Sequence, residues 1–153
     1  MRKKLNPTIQ TDYLNRVYEV NLFVKVVDRA VKTLTAFRKK NHFDAIAFTG
    51  TSGAALAYPL SLKMKVPLIC VRKSIKDNHF GSRLEGCTNA RTYIIVDDFI
   101  CSGATMKKIQ KAVKDHTGDY GGDPAKLVGV YLYAQKAYQG NKYKDVPLLG
   151  SGK

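Results

Sequence analysis

Acidic residues are scarce in this chain: 12 Asp and Glu stand against 26 Lys and Arg in 153 residues, a formal net charge of +14. A field of that sign concentrates phosphates, nucleic acid or acidic lipid near the surface; solvated lysines alone give the same total, because net charge does not say where the charges sit. Cysteine is sparser still. Cys70, Cys87 and Cys101 lie in no C-x-x-C or His-paired spacing, which argues against a zinc site and a disulfide framework and leaves free thiols. No run of about 18 apolar residues exists, so no segment is expected to span a bilayer and no membrane partner is expected. The start, Met1-Arg2-Lys3-Lys4-Leu5-Asn6-Pro7, is basic but leads into polar residues, which is not the form of a secretory signal, and the cytoplasm is the expected location. Internal repeats and low-complexity tracts are lacking as well. What is present is ordinary for a globular chain: 44% hydrophobic and 25% charged residues, too apolar for intrinsic disorder. The length predicts one domain over 1–153, divided into an N-terminal helix region 1–40, a core 43–133 and a C-terminal extension 135–153.

Over 13–37 apolar residues recur every three or four positions, with Thr11 or Asp12 available as a cap, which predicts one amphipathic helix. Arg38-Lys39-Lys40 follows in its last turn, where cations complement the helix dipole. Four short apolar runs, 45–48, 67–71, 93–96 and 127–133, predict strands, and helices are predicted over 54–64 and 104–113. The first three strands are almost continuously apolar, as strands buried on both faces of a parallel sheet should be. The order predicts an α/β fold with a doubly wound, mainly parallel sheet. Ligands of such sheets sit where the strands end, so the segments leaving the strands carry the chemistry. The tail from 135 onward is expected to be a surface extension with a loose end.

The strongest pattern is Tyr93-Ile94-Ile95-Val96-Asp97-Asp98-Phe99-Ile100-Cys101-Ser102-Gly103-Ala104-Thr105. A buried strand runs into two carboxylates and then into a small-residue turn that opens a helix. Adjacent carboxylates can accept hydrogen bonds from vicinal hydroxyls or hold a hard divalent cation, while backbone N–H groups at a helix start suit a phosphate. The plainer alternative is a surface turn with an Asp cap.

This pattern resembles the signature of the type I phosphoribosyltransferases: an apolar strand, two acids, two apolar residues and a small-residue phosphate loop. The resemblance implies that Asp97 and Asp98 bind the ribose hydroxyls of phosphoribosyl pyrophosphate and that Cys101, Ser102, Gly103, Ala104 and Thr105 wrap its 5′-phosphate. It implies Mg²⁺ as cofactor, held mainly through the donor, with Asp97 and Asp98 nearby. Phe99 is bulkier than is usual at its position. Cys101 falls where relatives carry Thr, Ala or an acid, which lowers the odds of a hypoxanthine or guanine acceptor.

Two further segments fit the same family. Residues 43–56 resemble its first strand and pyrophosphate loop, with the turn from Gly50 through Thr51 and Ser52 to Gly53 offering N–H groups to anionic oxygens as a nest would; Ser52 stands where many relatives have a basic residue. A plain strand-to-helix turn capped by Thr51 or Ser52 is the alternative. Residues 71–81 resemble the catalytic loop of orotate phosphoribosyltransferases, with Asn78 as one extra residue before His79. That likeness implies Arg72 and Lys73 on pyrophosphate oxygens, Lys76 neutralising the leaving group and His79 supplying a proton or hydrogen bond, against the alternative of a solvated loop. Lys107, Lys108, Lys111 and Lys114 are expected to form a wet helix face, with a nucleic-acid stripe as the alternative. Tyr131, Tyr133, Tyr138 and Tyr143 are expected to pack against the sheet or to stack on a base.

These observations imply a type I phosphoribosyltransferase with a reduced hood, joining a nucleobase to the ribose 5-phosphate of phosphoribosyl pyrophosphate, with orotate as the first-choice base and a homodimer by analogy. The alternative on the same fold is a non-catalytic nucleotide-sensing or RNA-binding regulator.

Overall fold

The computed structural model describes residues 8, 14–74, 82–119, 123–134, 142–143 and 145–150. Its elements are α1 (Asn15–Tyr18), α2 (Val20–Arg38), β1 (Ala45–Phe48), α3 (Gly50–Met64), β2 (Leu68–Val71), β3 (Leu84–Gly86), β4 (Thr92–Asp97), α4 (Ala104–Asp119), β5 (Lys126–Leu132), β6 (Lys142–Tyr143) and β7 (Val146–Leu149). The strands form one sheet in the order β3-β2-β1-β4-β5-β7-β6. The five inner strands run parallel, and the two edges, β3 and β6, are antiparallel to their neighbours. The doubly wound, mainly parallel α/β architecture is the one the sequence predicts.

Strand period explains how the layers form. Alternate residues of a strand face opposite sides, so Ile46, Phe48, Ile94 and Val96 join Leu56, Ala57 and Leu60 of α3 and Val27, Ala30 and Leu34 of α2 on one face. Ala45, Ala47, Ile69, Tyr93 and Ile95 join Met106, Ile109 and Val113 of α4 on the other. Because both faces are covered, β1 and β4 have almost no polar residues until they end. Asp44 then laces the starts of these two strands together: its Oδ2 accepts from the N–H groups of Arg91 at 3.0 Å and Thr92 at 2.9 Å.

Three expectations change. The single helix predicted over 13–37 is broken at Glu19, whose carboxylate accepts from Asn21 N at 3.0 Å and Leu22 N at 2.7 Å and so restarts the helix as α2. Both hydrogen bonds hold the carboxyl below its usual range. Apolar periodicity runs unbroken across such a cap, which is why spacing alone missed it; Thr11 and Asp12 lie outside the described residues. The long loop predicted after β2 contains a strand, β3, on the sheet edge. The tail predicted as a surface extension adds two strands, β7 pairing with β5 and β6 with β7. Among the described residues no helix is long and apolar enough to cross a membrane.

From β1 the chain winds outward through β2 to one edge, then returns to place β4 and β5 on the other side of β1. The helices leaving β1 and β4 therefore lie on opposite faces, and the ends of these two strands open a crevice between them.

Candidate active site

The crevice is centred on two carboxylates. Asp97 is the last residue of β4 and Asp98 the next, and each is only 5% exposed. The buried run Ile94-Ile95-Val96 carries them to the strand tip, where the strand ends and side chains can turn toward the crevice. Asp97 Oδ1 accepts from Ser52 Oγ at 3.0 Å and from Asp98 N at 2.9 Å, and Asp98 Oδ1 accepts from Phe99 N at 2.8 Å. The two carboxyl groups also stand close enough to hydrogen-bond to each other, and each has lone pairs to spare for hydroxyls or a cation. Burial is the main cause that pushes the Asp97 carboxyl up to about 7, with the charge of Asp98 beside it acting in the same sense. Two acids this deeply placed with no basic partner among the described residues are costly for a fold and are found where they do chemistry.

On one side of the acids lies the start of α3. The helix predicted over 54–64 begins earlier, at Gly50, so Thr51, Ser52 and Gly53, expected in the loop before it, are all in its first turn. Gly53 is needed there for closeness: a Cβ on it would stand 3.0 Å from Phe48 Cβ and 3.1 Å from Val96 O, so only glycine lets this turn press onto the tips of β1 and β4. Thr49, the N-cap, makes no cap hydrogen bond, because its hydroxyl donates to Val71 O instead, and the first turn holds no acidic residue. The positive end of the helix is thus left without compensation. A cation is nonetheless packed against it: a Cβ on Gly50 would lie 2.8 Å from Lys73 Cε and 3.0 Å from its Nζ. An ammonium on an uncapped helix N-terminus is unfavourable unless an anion joins them.

On the other side lies the start of α4. A cavity of about 130 Å³ is lined by the eight residues from Phe99 to Met106, among them Cys101, Ser102, Gly103, Ala104 and Thr105. Gly103 stands at φ +76°, a left-handed conformation that a side chain would resist. Ser102 Oγ accepts from Ala104 N at 3.3 Å, and Gly103 O accepts the first helical bond, from Lys107 N, at 3.0 Å. Cys101 is exposed at the mouth.

The structure thus brings Asp97, Asp98, Ser52, Lys73 and the 101–105 turn to one crevice, but redistributes several expected tasks. The Ser52 hydroxyl is directed to Asp97. Arg72, expected at pyrophosphate oxygens, has a different partner: Nε and one terminal nitrogen both donate to Glu85 of β3 at 2.9 Å. Lys76 and His79 lie outside the described residues. Lys108, expected on a wet face, donates from Nζ to Lys73 O at 2.8 Å and ties α4 to the segment leaving β2. Tyr133 and Tyr143, expected to pack or stack, aim their hydroxyls at Ser52 O and Gly103 O. No sequence signal announces these partners, which are 35 to 81 residues apart along the chain.

No family model matches the chain. An orotate phosphoribosyltransferase of Archaeoglobus fulgidus is 31% identical over 106 residues, which cover 66% of this chain and 60% of that protein. An adenine phosphoribosyltransferase of Ureaplasma parvum is 29% identical over 109 residues, covering 61% of this chain and 63% of that protein. The chain spans about three fifths of the length of these relatives. Among solved structures it is similar to orotate phosphoribosyltransferase from Aeropyrum pernix, with a TM-score of 0.65 at 15% identity over 92% of this chain and 76% of that one. It is also similar to adenine phosphoribosyltransferase from Thermoanaerobacter pseudethanolicus, with a TM-score of 0.59 at 17% identity over 88% and 82%. At such identities these two likenesses concern the fold. Orotate and adenine phosphoribosyltransferases alike are thus what this chain is similar to in sequence, and solved members of both groups share its fold.

Proposed function

We propose that the chain transfers ribose 5-phosphate from phosphoribosyl pyrophosphate to a nucleobase, releasing pyrophosphate. One observation carries this: two buried carboxylates stand between two helix starts, one uncapped and faced by Lys73, the other opening onto a cavity. The sequence anion, hydroxyls, anion across the crevice matches a sugar phosphorylated at both ends. Asp97 and Asp98 accept hydrogen bonds from the ribose hydroxyls. The turn from Cys101 through Thr105 takes the 5′-phosphate, and the first turn of α3 with Lys73 takes the pyrophosphate. A ring nitrogen of the base attacks C1 of the ribose, the bond from C1 to the pyrophosphate oxygen breaks, the electron pair leaves with pyrophosphate, and the proton of the ring nitrogen passes to the leaving group or to water. Positive charge builds on the ribose beside the two acids and negative charge on the leaving group beside Lys73, so the fixed charges are of the sign that stabilises the transition state. Lys76 and His79 are assigned their roles at the leaving group by resemblance.

The donor set suits Mg²⁺. Paired carboxylate oxygens are hard ligands, and Mg²⁺ is commonly held by one or two carboxylates together with substrate phosphates rather than by an all-protein cage. Among the described residues no group of three or more His, Cys, Asp or Glu forms such a cage. Bound by Asp97 or Asp98 and the donor, the ion would neutralise the leaving pyrophosphate. A homodimer and a cytoplasmic location belong to the same proposal, by kinship. Orotate is the proposed base, since its carboxylate suits a chain of net charge +14.

The test is pyrophosphate release from phosphoribosyl pyrophosphate and Mg²⁺ with orotate, uracil, adenine, guanine, hypoxanthine or xanthine supplied singly. Release with orotate is expected; release with adenine alone would keep the reaction and replace the base. No release with any base would favour the nucleotide-sensing or RNA-binding regulator. Asp98→Asn is expected to weaken donor binding about ten- to a hundredfold, the scale of a hydrogen bond to a charged group. Calorimetric titration with the donor checks this, and unchanged affinity would remove Asp98 from the site.

A further inference from the structure

Two tyrosines end on backbone carbonyls at the two helix starts. Tyr133, just beyond β5, donates its hydroxyl to Ser52 O in the first turn of α3 at 2.7 Å. Tyr143, in β6, donates to Gly103 O at the start of α4 at 3.2 Å. The Tyr143 ring lies against Gly103 so closely that a Cβ there would be 2.9 Å from its hydroxyl and 3.0 Å from Cε2. Both side chains are buried, at 3% and 7% exposure, and they sit in separate apolar clusters on opposite faces of the sheet. Packing alone would be served by phenylalanine, because a buried phenol loses water and gains nothing unless its hydroxyl finds a partner.

A peptide unit is planar, so holding a carbonyl oxygen also aims the following N–H. Tyr133 in this way steadies the Ser52–Gly53 peptide, and with it the first turn of α3 whose preceding N–H groups are assigned to pyrophosphate, and Tyr143 the Gly103–Ala104 peptide, whose N–H Ser102 Oγ also receives, within the turn assigned to the sugar phosphate. Tyr133 is further joined to the acids through its own backbone, its N–H donating to Asp97 O at 3.2 Å. We propose that Tyr133 and Tyr143 are positioning residues, each setting one of the two anion sites independently of the other. The proposal rests on the donor-binding function above. It gives β6, in the segment expected to be a loose surface extension, a part in building the site.

The experiment is calorimetric titration of the full chain, in Mg²⁺ buffer, with ribose 5-phosphate and with inorganic pyrophosphate. Tyr143→Phe is expected to weaken ribose 5-phosphate about three- to tenfold, the scale of one neutral hydrogen bond, and to leave pyrophosphate unchanged. Tyr133→Phe is expected to do the reverse. Each variant keeps its ring and hence its packing, and a thermal melt verifies the fold. A merely structural hydroxyl would weaken both ligands together or neither, and either result overturns the proposal while the function stands. If the unmodified chain binds neither ligand, the function falls, and this inference with it.

Discussion

Lys73→Ala is expected to slow pyrophosphate release about a hundred- to a thousandfold, the range seen when one preorganised charge-stabilising group is removed from an active site. The size of the effect follows from where the ammonium sits. It packs on Gly50 at the start of α3, a helix end with no side-chain cap and no acid in its first turn, so nothing in that turn offsets its charge before an anion arrives. Negative charge grows on the leaving pyrophosphate during bond breaking, which makes the attraction stronger in the transition state than in the bound donor. Turnover should therefore fall much more than donor affinity. Lys73→Arg keeps the charge but replaces a compact ammonium by a planar fork, and is expected to recover part of the rate. Single-turnover kinetics with saturating donor separate the two effects. A loss confined to donor affinity, with the chemical step intact, would make Lys73 a binding group only.

A second large effect concerns stability. Burial pushes the Asp97 carboxyl from 3.8 up to about 7, so the folded protein holds that proton more tightly than the unfolded chain does. Between these values the native state binds more protons, and stability falls as pH rises. The neutral carboxyl's contribution is fully present below pH 3.8 and is lost as pH passes about 7. Above that, the ionised group costs up to about 4 kcal/mol. Asp97→Asn removes the charge and retains an oxygen for the Ser52 hydroxyl and the Asp98 N–H. In buffer free of donor and divalent cations the variant is expected to melt several degrees above the parent at pH 8, with the difference closing toward pH 4. It should lose donor binding at the same time, since an amide is a poorer acceptor for two hydroxyls. A variant that melts at or below the parent at pH 8 would show that the acid is not strained in its pocket. Stability given up at one position for the sake of a site is a common arrangement in enzymes.

The inner strands and the acids were legible because their signals are local. Residues 45–48, 93–96 and 127–133 are apolar runs too short for helices, and β1, β4 and β5 lie on them within two residues at either end. Asp97-Asp98 followed by a small-residue turn is a contiguous pattern, and it occupies the end of β4 as expected. Less visible were elements whose stability comes from neighbours: β3 is three residues long and β6 two, too short to display alternation, and both exist by pairing to an edge already formed. The break at Glu19 escaped notice because a cap interrupts the backbone without interrupting the apolar spacing.

Sequence by itself determined the layer order, the position of the two acids and the family resemblance, since buried runs, turn residues and a contiguous motif need no distant partner to be read. Tertiary structure alone decided which groups remain available for chemistry. Glu85 engages Arg72, Asp97 takes the Ser52 hydroxyl, and Tyr133 and Tyr143 hold the two helix starts. A hydrogen bond is made by whichever donor and acceptor the packed sheet brings within reach, and that choice is settled only when distant stretches of the chain meet.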